Sequence, residues 1–176
     1  LPGNVSSQFV TGLLLALPLL DGDSKIVLTS PLESVGYVNM TIDTMKRFGV
    51  TVDETEYGYF VKGNQHYIPH DYTVQGDWSQ AAFFMVAGAF GGEITVKGID
   101  PNSTQGDREI CNLIKKFGAD IEIGTDFVKV KNKGELRGIN IDASQIPDLV
   151  PVLAVCGSGA YGVTKIYNAE RLRIKE

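Results

Sequence analysis

The chain has 176 residues, a formal net charge of −5 and 43% hydrophobic residues. This length holds one ordinary domain or two small ones, and the composition is that of a globular protein. The acidic balance argues against a general nucleic-acid-binding protein, because phosphate backbones require a basic face. The apolar run at residues 9–20 is too short to span a bilayer. We therefore expect neither a nucleic-acid partner nor a membrane partner.

The two cysteines, Cys111 and Cys156, stand among apolar residues and lack metal-ligand spacing. Buried free thiols are favoured over a disulfide or a ligand role, and this usage fits a reducing cytosol. His66 and His70 are close in sequence, but Pro69 lies between them and no third ligand is near. We therefore expect no metal site.

Helical and strand patterns alternate in the first 62 residues. In chain order we predict a helix at 9–19, a strand at 25–29, a helix at 31–48, and strands at 51–54 and 59–62. The first helix is apolar on all sides, which predicts a central, fully buried helix. The second is amphipathic, with Val38, Ile42 and Met45 on one face, and Gly49 is placed to end it.

The same order returns about 70 residues later, and Phe48-Gly49-Val50 matches Phe117-Gly118-Ala119. The second round comprises a helix at 80–90, a strand at 93–97, a helix at 108–117, and strands at 120–123 and 127–130. A third round comprises a strand at 139–142, a helix at 149–155, a strand at 163–167 and the start of a helix near 171. The recurrence predicts a supersecondary repeat. Residues 63–72 interrupt it and are the candidate linker, and we place a domain boundary near residues 63–75, with domains at 1–70 and 71–176.

Glycine-led polar segments precede two of the predicted helices, at residues 3–8 (GNVSSQ) and 76–80 (GDWSQ). The first N–H groups of a helix and its positive dipole end form a natural anion site. Plain capping by serine or aspartate explains the same residues without a ligand. On the residues alone, capping is the favoured interpretation.

Asp148 lies in an apolar segment, residues 145–150 (QIPDLV). Apolar surroundings raise the cost of ionisation and suit a proton acceptor, although a helix cap explains the residue equally well. The run at residues 171–176 (RLRIKE) combines three bases with Glu176, a pattern typical of a solvated helix face. The residue patterns alone leave the function open.

Five stretches together resemble the 5-enolpyruvylshikimate-3-phosphate synthase family. They are residues 3–9 (GNVSSQF), 37–41 (YVNMT), 105–107 (QGD), 146–148 (IPD) and 171–176 (RLRIKE). The resemblance covers the whole chain and implies an α/β fold of βαβαββ units, three in each of two lobes. This chain would then be a fragment that contains the last unit of one lobe, one full unit of the other and an incomplete one. The crossover between the lobes would lie near residues 68–76.

The resemblance implies transfer of the enolpyruvyl group of phosphoenolpyruvate to the 5-hydroxyl of shikimate 3-phosphate, with release of phosphate. It implies no metal or organic cofactor, a cytoplasmic enzyme of aromatic amino acid biosynthesis, and a monomer at full length. Ser6, Ser7, Gln8, Ser34 and Tyr37 match residues that bind shikimate 3-phosphate. The fragment alone is expected to be inactive.

The resemblance also assigns chemistry to three charged residues. Asp148 matches the carboxylate that takes the proton of the 5-hydroxyl. Lys175 matches a base that contacts both substrates, and Glu176 matches the acid that handles the methylene proton. Two positions depart from the family pattern: Arg171 stands where a binding asparagine is usual, and Trp78 stands where smaller residues are common.

Two other functions remain open from the sequence. The related UDP-N-acetylglucosamine enolpyruvyl transferase shares the implied fold and chemistry, although the motifs at residues 6–8 and 171–176 favour the shikimate enzyme. The other alternative is a non-catalytic α/β repeat module that binds a ligand or assembles with a partner.

Overall fold

A computed structural model describes residues 1–173 of the chain. The chain divides into two compact units, one of residues 1–73 and one that begins at Val74. Each unit has its own hydrophobic core. Within the described residues, no helix is long and apolar enough to cross a membrane.

The first unit contains a three-stranded antiparallel sheet and two helices. Its elements are α1 (Ser7–Ala16), β1 (Ser24–Val27), α2 (Val35–Arg47), β2 (Asp53–Thr55) and β3 (Gly58–Val61). The central strand is β3, which pairs with β1 on one side and with β2 on the other. The predicted order of elements is confirmed, and the core is formed by residues from both helices and the sheet: Val10, Leu14, Ile26, Val38, Met45, Val50, Tyr59 and Val61.

The expectation that the first helix is fully buried is wrong within the described residues. α1 buries Val10 and Leu14 on one face, whereas Phe9 is 58% exposed and Leu13 is 40% exposed. The reason is that α1 packs along one side against α2 and the core of its own unit. The helix also ends earlier than expected, since residues Leu17–Leu19 form a 3-10 turn that contains Pro18.

The predicted start of the second helix is also wrong. α2 begins at Val35 rather than at residue 31, because the preceding loop makes different hydrogen bonds. The backbone N–H of Glu33 donates to the carbonyl of Gly3 at 3.0 Å, and Ser34 has a left-handed backbone with φ of 56°. The predicted buried face is confirmed for Val38 and Met45.

Both repeats end their second helix in the same glycine turn. Gly49 and Gly118 have φ of 84° and 112°, a region that favours glycine. The residue after each glycine donates its amide to a carbonyl in the last turn of the helix, at 3.0 and 3.2 Å. This is the hydrogen bond of a Schellman motif, and it confirms the predicted helix stops.

The second unit begins with the same order of elements. They are α3 (Trp78–Phe90), β4 (Glu93–Lys97), α4 (Ile110–Phe117), β5 (Asp120–Ile123) and β6 (Phe127–Lys131). The sheet is again antiparallel, with β6 between β4 and β5. A 3-10 turn, Gly106–Glu109, replaces the predicted first turn of α4.

α3 lies at the centre of the second unit and contacts the sheet, α4 and α5. Small side chains on its buried face allow this close packing, and a Cβ at Gly88 would lie 3.1 Å from the carbonyl oxygen of Val130 in β6. The opposite face carries Phe83 and Phe84, which are 50% and 62% exposed. α3 therefore has one closely packed face and one open apolar face among the described residues.

A third round adds a parallel pair of strands to the second unit. β7 (Asn140–Asp142) and β8 (Lys165–Tyr167) are joined through α5 (Val150–Ser158) and pair in parallel. A 3-10 turn, Pro147–Leu149, precedes α5, which starts one residue later than predicted and ends at Ser158 rather than at 155. A second 3-10 turn, Glu170–Arg173, occupies the start of the predicted last helix.

The segment that was expected to be a linker is held by the first unit. The amide of Ile68 donates to the carbonyl of Phe48 at 2.8 Å. The ring of His70 lies 4.4 Å from that of Phe48, and Arg47 lies over the ring of Tyr72 at 5.9 Å. These contacts extend the first unit to the residues just before its boundary.

Candidate functional site

The loops that precede α1 and α2 are hydrogen-bonded to each other. The N–H of Gly3 donates to Oγ of Ser30 at 2.9 Å, and that hydroxyl donates to Oδ1 of Asn4 at 2.9 Å. A Cβ at Gly3 would lie only 2.7 Å from the carbonyl oxygen of Ser30. The close approach of the two loops therefore requires glycine at this position.

The two helices that follow these loops run side by side in the same direction. Their starts are joined through Gly3, and further along Oγ1 of Thr41 lies 3.5 Å from Oγ1 of Thr11. One contact joins the loops before the two helices, and the other joins residues inside both helices. Both N-termini therefore lie at one end of the first unit. The positive ends of the two helix dipoles therefore lie together, which is an arrangement that favours an anion.

The predicted residues of the first helix start occupy three different environments. Ser6 is the N-cap of α1, and its Oγ accepts from the backbone N–H of Gln8 at 3.3 Å. The capping interpretation is thus confirmed for Ser6, although the bond is long. Ser7 is 8% exposed, whereas the side chain of Gln8 is exposed.

Ser34 occupies a strained position directly before α2. It is 1% exposed, and its φ and ψ of 56° and 45° lie in the left-handed region. For a residue other than glycine this conformation costs about 1 kcal/mol or more, and such positions are concentrated at functional sites. Its side chain does not cap α2.

Tyr37 follows in the first turn of α2 and is half-buried. Its backbone N–H donates to the carbonyl of Ser34 at 3.1 Å, and its carbonyl accepts from Oγ1 of Thr41 at 2.9 Å. The first turn of α2 is thereby tied to both the strained serine and the contact with α1.

Asp148 lies in the second unit, in the 3-10 turn before α5. It is half-buried between the buried residues Pro147 and Leu149. The amide of Leu149 donates to the carbonyl of Ile146 at 3.1 Å, which closes the turn. The apolar neighbours of Asp148 in the sequence are therefore buried, as expected, on both sides of it in the chain.

Loops before the helices also converge in the second unit. The N–H of Trp78 donates to Oε1 of Gln105 at 2.9 Å, and a Cβ at Gly106 would lie 3.4 Å from the carbonyl oxygen of Gln145. The motif at residues 105–107 is thus adjacent both to the start of α3 and to the loop that carries Asp148.

Two further residues of the second unit have structural roles that explain their identity. Asp77 caps α3, because its Oδ1 accepts from the backbone N–H of Ser79 at 2.8 Å. Trp78 is completely buried, and its Nε1 donates to the carbonyl of Asp100 at 3.2 Å. The unusual tryptophan is therefore a core residue of this unit.

The C-terminal candidates lie at the limit of the described residues. Arg171 is half-buried in the 3-10 turn Glu170–Arg173. Lys175 and Glu176 lie outside the described residues. Among residues 1–173, no group of three or more His, Cys, Asp or Glu side chains is arranged to hold a metal ion.

The first unit also contains a cleft of about 550 Å³. It lies between the loop at residues 28–32, the start of α2 and the β2–β3 hairpin, and it contains Glu54 and Glu56 but no basic residue. Burial, followed by the nearby charge of Glu54, raises the pKa of Tyr59 in its wall. None of the predicted site residues within residues 1–173 lines this cleft, and its charge does not suit a phosphate.

Sequence reasoning missed the contacts that hold the loops in place. Ser30 and Asn4 join the starts of α1 and α2, and Gln105 joins the start of α3 to the following loop. Gly3, Asn4 and Gln105 each belong to a motif, but a contact between loops far apart in sequence leaves no local pattern.

Solved structures have the same fold as this chain. An EPSP synthase from Acinetobacter baumannii superposes with a TM-score of 0.74 at 25% identity, over 97% of this chain and 40% of that chain. An enolpyruvyl transferase from Streptomyces tendae superposes with a TM-score of 0.73 at 20% identity, over 94% of this chain and 40% of that chain. The fold is thus the α/β fold of the enolpyruvyl transferases, as expected.

The family model of EPSP synthase (3-phosphoshikimate 1-carboxyvinyltransferase) matches residues 1–176, and the chain belongs to this family. A relative from Clostridium novyi (strain NT) is 56% identical over 175 residues, which are 99% of this chain and 40% of the relative. A relative from Methanococcus maripaludis (strain C6) is 49% identical over an alignment of 179 positions, which covers 99% of this chain and 42% of the relative. Both are named 3-phosphoshikimate 1-carboxyvinyltransferase. The chain spans about 40% of the length of these relatives.

Proposed function

We propose that the whole protein containing this chain transfers the enolpyruvyl group of phosphoenolpyruvate to the 5-hydroxyl of shikimate 3-phosphate and releases phosphate. The observation that carries this proposal is the family match over residues 1–176. Transferases of this name act in the shikimate pathway of aromatic amino acid biosynthesis. The protein works in the cytoplasm as a monomer, and its partners are its small-molecule substrates.

Shikimate 3-phosphate binds at the joined starts of α1 and α2. Ser6, Ser7 and Gln8 offer hydroxyl, amide and backbone donors at one helix start, and Ser34 and Tyr37 offer donors at the other. The parallel helix dipoles and the strained backbone of Ser34 support this assignment. A phosphate monoester is a dianion near neutral pH, so it benefits from two helix ends more than a neutral sugar would.

Asp148 accepts the proton of the 5-hydroxyl as that oxygen attacks C2 of phosphoenolpyruvate. Glu176 delivers a proton to the methylene carbon, and a tetrahedral intermediate forms. Removal of a methyl proton then restores the double bond as the C2–O bond to phosphate breaks. The buried residues Pro147 and Leu149 next to Asp148 in the chain support the role of base, because an apolar setting suits a proton acceptor. Lys175 stabilises negative charge on both substrates.

The described residues provide little positive charge at the joined starts of α1 and α2. Two phosphorylated substrates require more bases than this, and Glu33 adds a negative charge close to Gly3. We therefore propose that the remaining bases belong to parts of the whole protein outside this chain, and that the chain alone does not turn over.

The decisive experiment measures phosphate release from phosphoenolpyruvate by the whole protein. Release is expected with shikimate 3-phosphate, and none is expected without an acceptor or with UDP-N-acetylglucosamine. Release that requires the nucleotide sugar would replace the proposal by the related transferase. If neither acceptor supports release although a calorimetric titration detects binding of shikimate 3-phosphate, the protein is a binding module.

A further inference from the structure

A carboxylate and a carboxamide connect two loops at one edge of the parallel β7–β8 pair. Asp142 is the last residue of β7, and its Oδ2 accepts from Nδ2 of Asn168, the first residue after β8, at 3.1 Å. Its Oδ1 accepts from the backbone N–H of Ser144 at 3.0 Å. Asp142 therefore bonds simultaneously to the loop after β7 and to the loop after β8.

Both loops leave the same edge because the two strands are parallel. One backbone bond also joins them, from the N–H of Ala143 to the carbonyl of Tyr167 at 2.9 Å. The loop after β7 leads within a few residues to Asp148. The loop after β8 leads to the 3-10 turn Glu170–Arg173 and, further along the sequence, to Lys175.

We propose that Asp142 is a positioning residue, which sets the loop that carries Asp148 against the loop that follows β8. This inference rests on the proposed function, because it concerns where Asp148, a group assigned to the reaction, is held. Asp142 itself touches neither the substrates nor the reacting atoms in this proposal.

The local geometry shows why this pair suits the task. Asn168 has a left-handed backbone, with φ of 54°, which asparagine adopts more readily than most residues. Its carboxamide can therefore stay directed at Asp142 immediately after the strand ends. Hydrogen bonds to Asp142 lower the pKa of its carboxyl, the backbone N–H of Ser144 having the largest effect. An ionised acceptor makes stronger bonds than a neutral one.

The two hydrogen bonds of Asp142 are exposed to solvent. Their effect on the position of the loops can therefore be distinguished from their effect on the free energy of unfolding. Exposed hydrogen bonds contribute little to the free energy of unfolding, because water replaces either partner. A catalytic group displaced by about 1 Å, however, loses a large part of its rate advantage. Loss of the Asp142–Asn168 pair should therefore lower kcat strongly and the free energy of unfolding only slightly.

Four single variants of the whole protein, and the double variant that combines Asp142→Ala with Asn168→Gly, test the proposal. Asp142→Ala removes both side-chain bonds, and Asn168→Gly removes the link between the loops while it keeps the left-handed backbone. Asp142→Asn is the conservative variant. Its oxygen still accepts from Ser144, and its amide group can donate to Asn168 once that carboxamide turns over. Asp120→Ala is the control, an exposed aspartate of the same unit that pairs with Lys133 at 3.2 Å.

In steady-state assays with both substrates, Asp142→Ala and Asn168→Gly should each lower kcat by about tenfold. KM for shikimate 3-phosphate should stay within about twofold, because five of its proposed contacts lie in the first unit: Ser6, Ser7, Gln8, Ser34 and Tyr37. The double variant should be no slower than Asp142→Ala, and Asp142→Asn should keep kcat within about threefold. Unchanged kcat in Asp142→Ala, or a loss matched by Asp120→Ala, would overturn the proposal.

Hydrogen exchange separates failure of this inference from failure of the proposed function. If the unmodified protein does not turn over shikimate 3-phosphate, the function is wrong, and the link is judged by exchange alone. Amides of residues 143–149 and 169–173 should then exchange faster in both Asp142→Ala and Asn168→Gly, and not in Asp120→Ala. Acceleration in one loop only, or in neither, would overturn the positioning role.

Discussion

The backbone N–H of Trp78 donates to Oε1 of Gln105 at 2.9 Å, and Nε2 of the same glutamine donates to the carbonyl of Gly76 at 3.0 Å. One side chain thus satisfies a donor and an acceptor of the segment that enters α3. The backbone N–H of Gln105 donates to Oγ of Ser103 at 3.3 Å, and that hydroxyl donates to Oε1 of Gln75 at 3.0 Å. The start of α3 is therefore held by a small hydrogen-bond network rather than by its cap alone.

Gln105→Ala should destabilise the protein by about 1–3 kcal/mol, since it leaves the N–H of the completely buried Trp78 without its acceptor. Urea denaturation monitored by tryptophan fluorescence would measure the change. Gln80→Ala, on the exposed side of α3, should stay within about 0.5 kcal/mol. Equal effects of the two substitutions would show that the network does not hold the helix start.

The two glycine turns should respond unequally to alanine. Both positions impose a left-handed backbone, which costs an alanine about 1 kcal/mol. At Gly118 the nearest atom to a new Cβ lies 3.6 Å away, whereas at Gly49 Cδ1 of Ile68 lies at 2.8 Å. Gly49→Ala should therefore lower the free energy of unfolding more than Gly118→Ala. Ile68→Val removes that Cδ1 and should recover part of the difference; a larger loss at Gly118 would contradict the packing.

In the whole protein, Asp148→Asn should lower kcat by at least about 100-fold, because the proposed mechanism requires Asp148 to accept the proton of the 5-hydroxyl and an amide cannot do so. The melting temperature should change little, since the carboxylate is only half-buried. Asp126→Asn, in the exposed turn between β5 and β6, is the matched control and should keep its rate. Turnover within tenfold of the unmodified enzyme would remove Asp148 from the role of base.

Ser6→Ala and Ser7→Ala should each weaken the binding of shikimate 3-phosphate by about tenfold, the value of one hydrogen bond to a charged group. Only Ser6→Ala should also lower stability, by about 0.5–1 kcal/mol, because Ser6 caps α1. Isothermal titration and thermal melting measure the two effects. Ser158→Ala, at the C-terminal end of α5, should change neither the affinity for shikimate 3-phosphate nor the stability that the α1 cap provides. Retained affinity in both serine variants would place the ligand elsewhere.

The buried thiols should make stability fall at alkaline pH. Burial raises the pKa of both Cys111 and Cys156 from 9.0 to about 11. Between these values the unfolded chain loses its thiol protons while the folded chain keeps them, so the unfolded state is favoured as pH rises. The free energy of unfolding should therefore decrease from pH 9 to about 11, and less steeply in a double Cys→Ala variant. Rapid alkylation of the folded protein at neutral pH would contradict the burial.

Element order was predictable because it depends on local pattern. The amphipathic face of α2 and the glycine stops at Gly49 and Gly118 follow from residues that are close in sequence. The start of α2 was not predictable, because Ser30 and Glu33 bond to Gly3 and so hold the loop out of the helix. Such a contact leaves no periodic signal.

The burial of α1 shows a second limit. Its apolar pattern predicts covering on all sides, yet Phe9 and Leu13 are exposed among the described residues. The chain spans about 40% of the length of its relatives. We therefore expect residues outside this chain to cover the apolar side chains of α1 that are exposed here. The exposed faces of α1 and of α3, with Phe83 and Phe84, are expected to be packing faces in the whole protein.

In the candidate site, too, features set by neighbours in the sequence were predictable and features set by distant contacts were not. The capping role of Ser6 and the apolar setting of Asp148 were readable from neighbours in the sequence. The left-handed backbone of Ser34 and the pairing of Asp142 with Asn168 were not, since both depend on how distant loops meet. The expected roles of these residues came from the resemblance of the motifs to the family, because the residue patterns alone left those roles open.

The shared turn at Gly49 and Gly118 has a consequence for the history of the chain. Two segments that keep the same hydrogen bond and element order, but differ at the helix start, are what duplication of an ancestral gene segment followed by divergence would leave. One copy has the paired serines at the start of its first helix, and the other has Asp77 and the buried Trp78 there. On this interpretation the shared turn is the part of the unit that both copies kept, while the helix starts diverged.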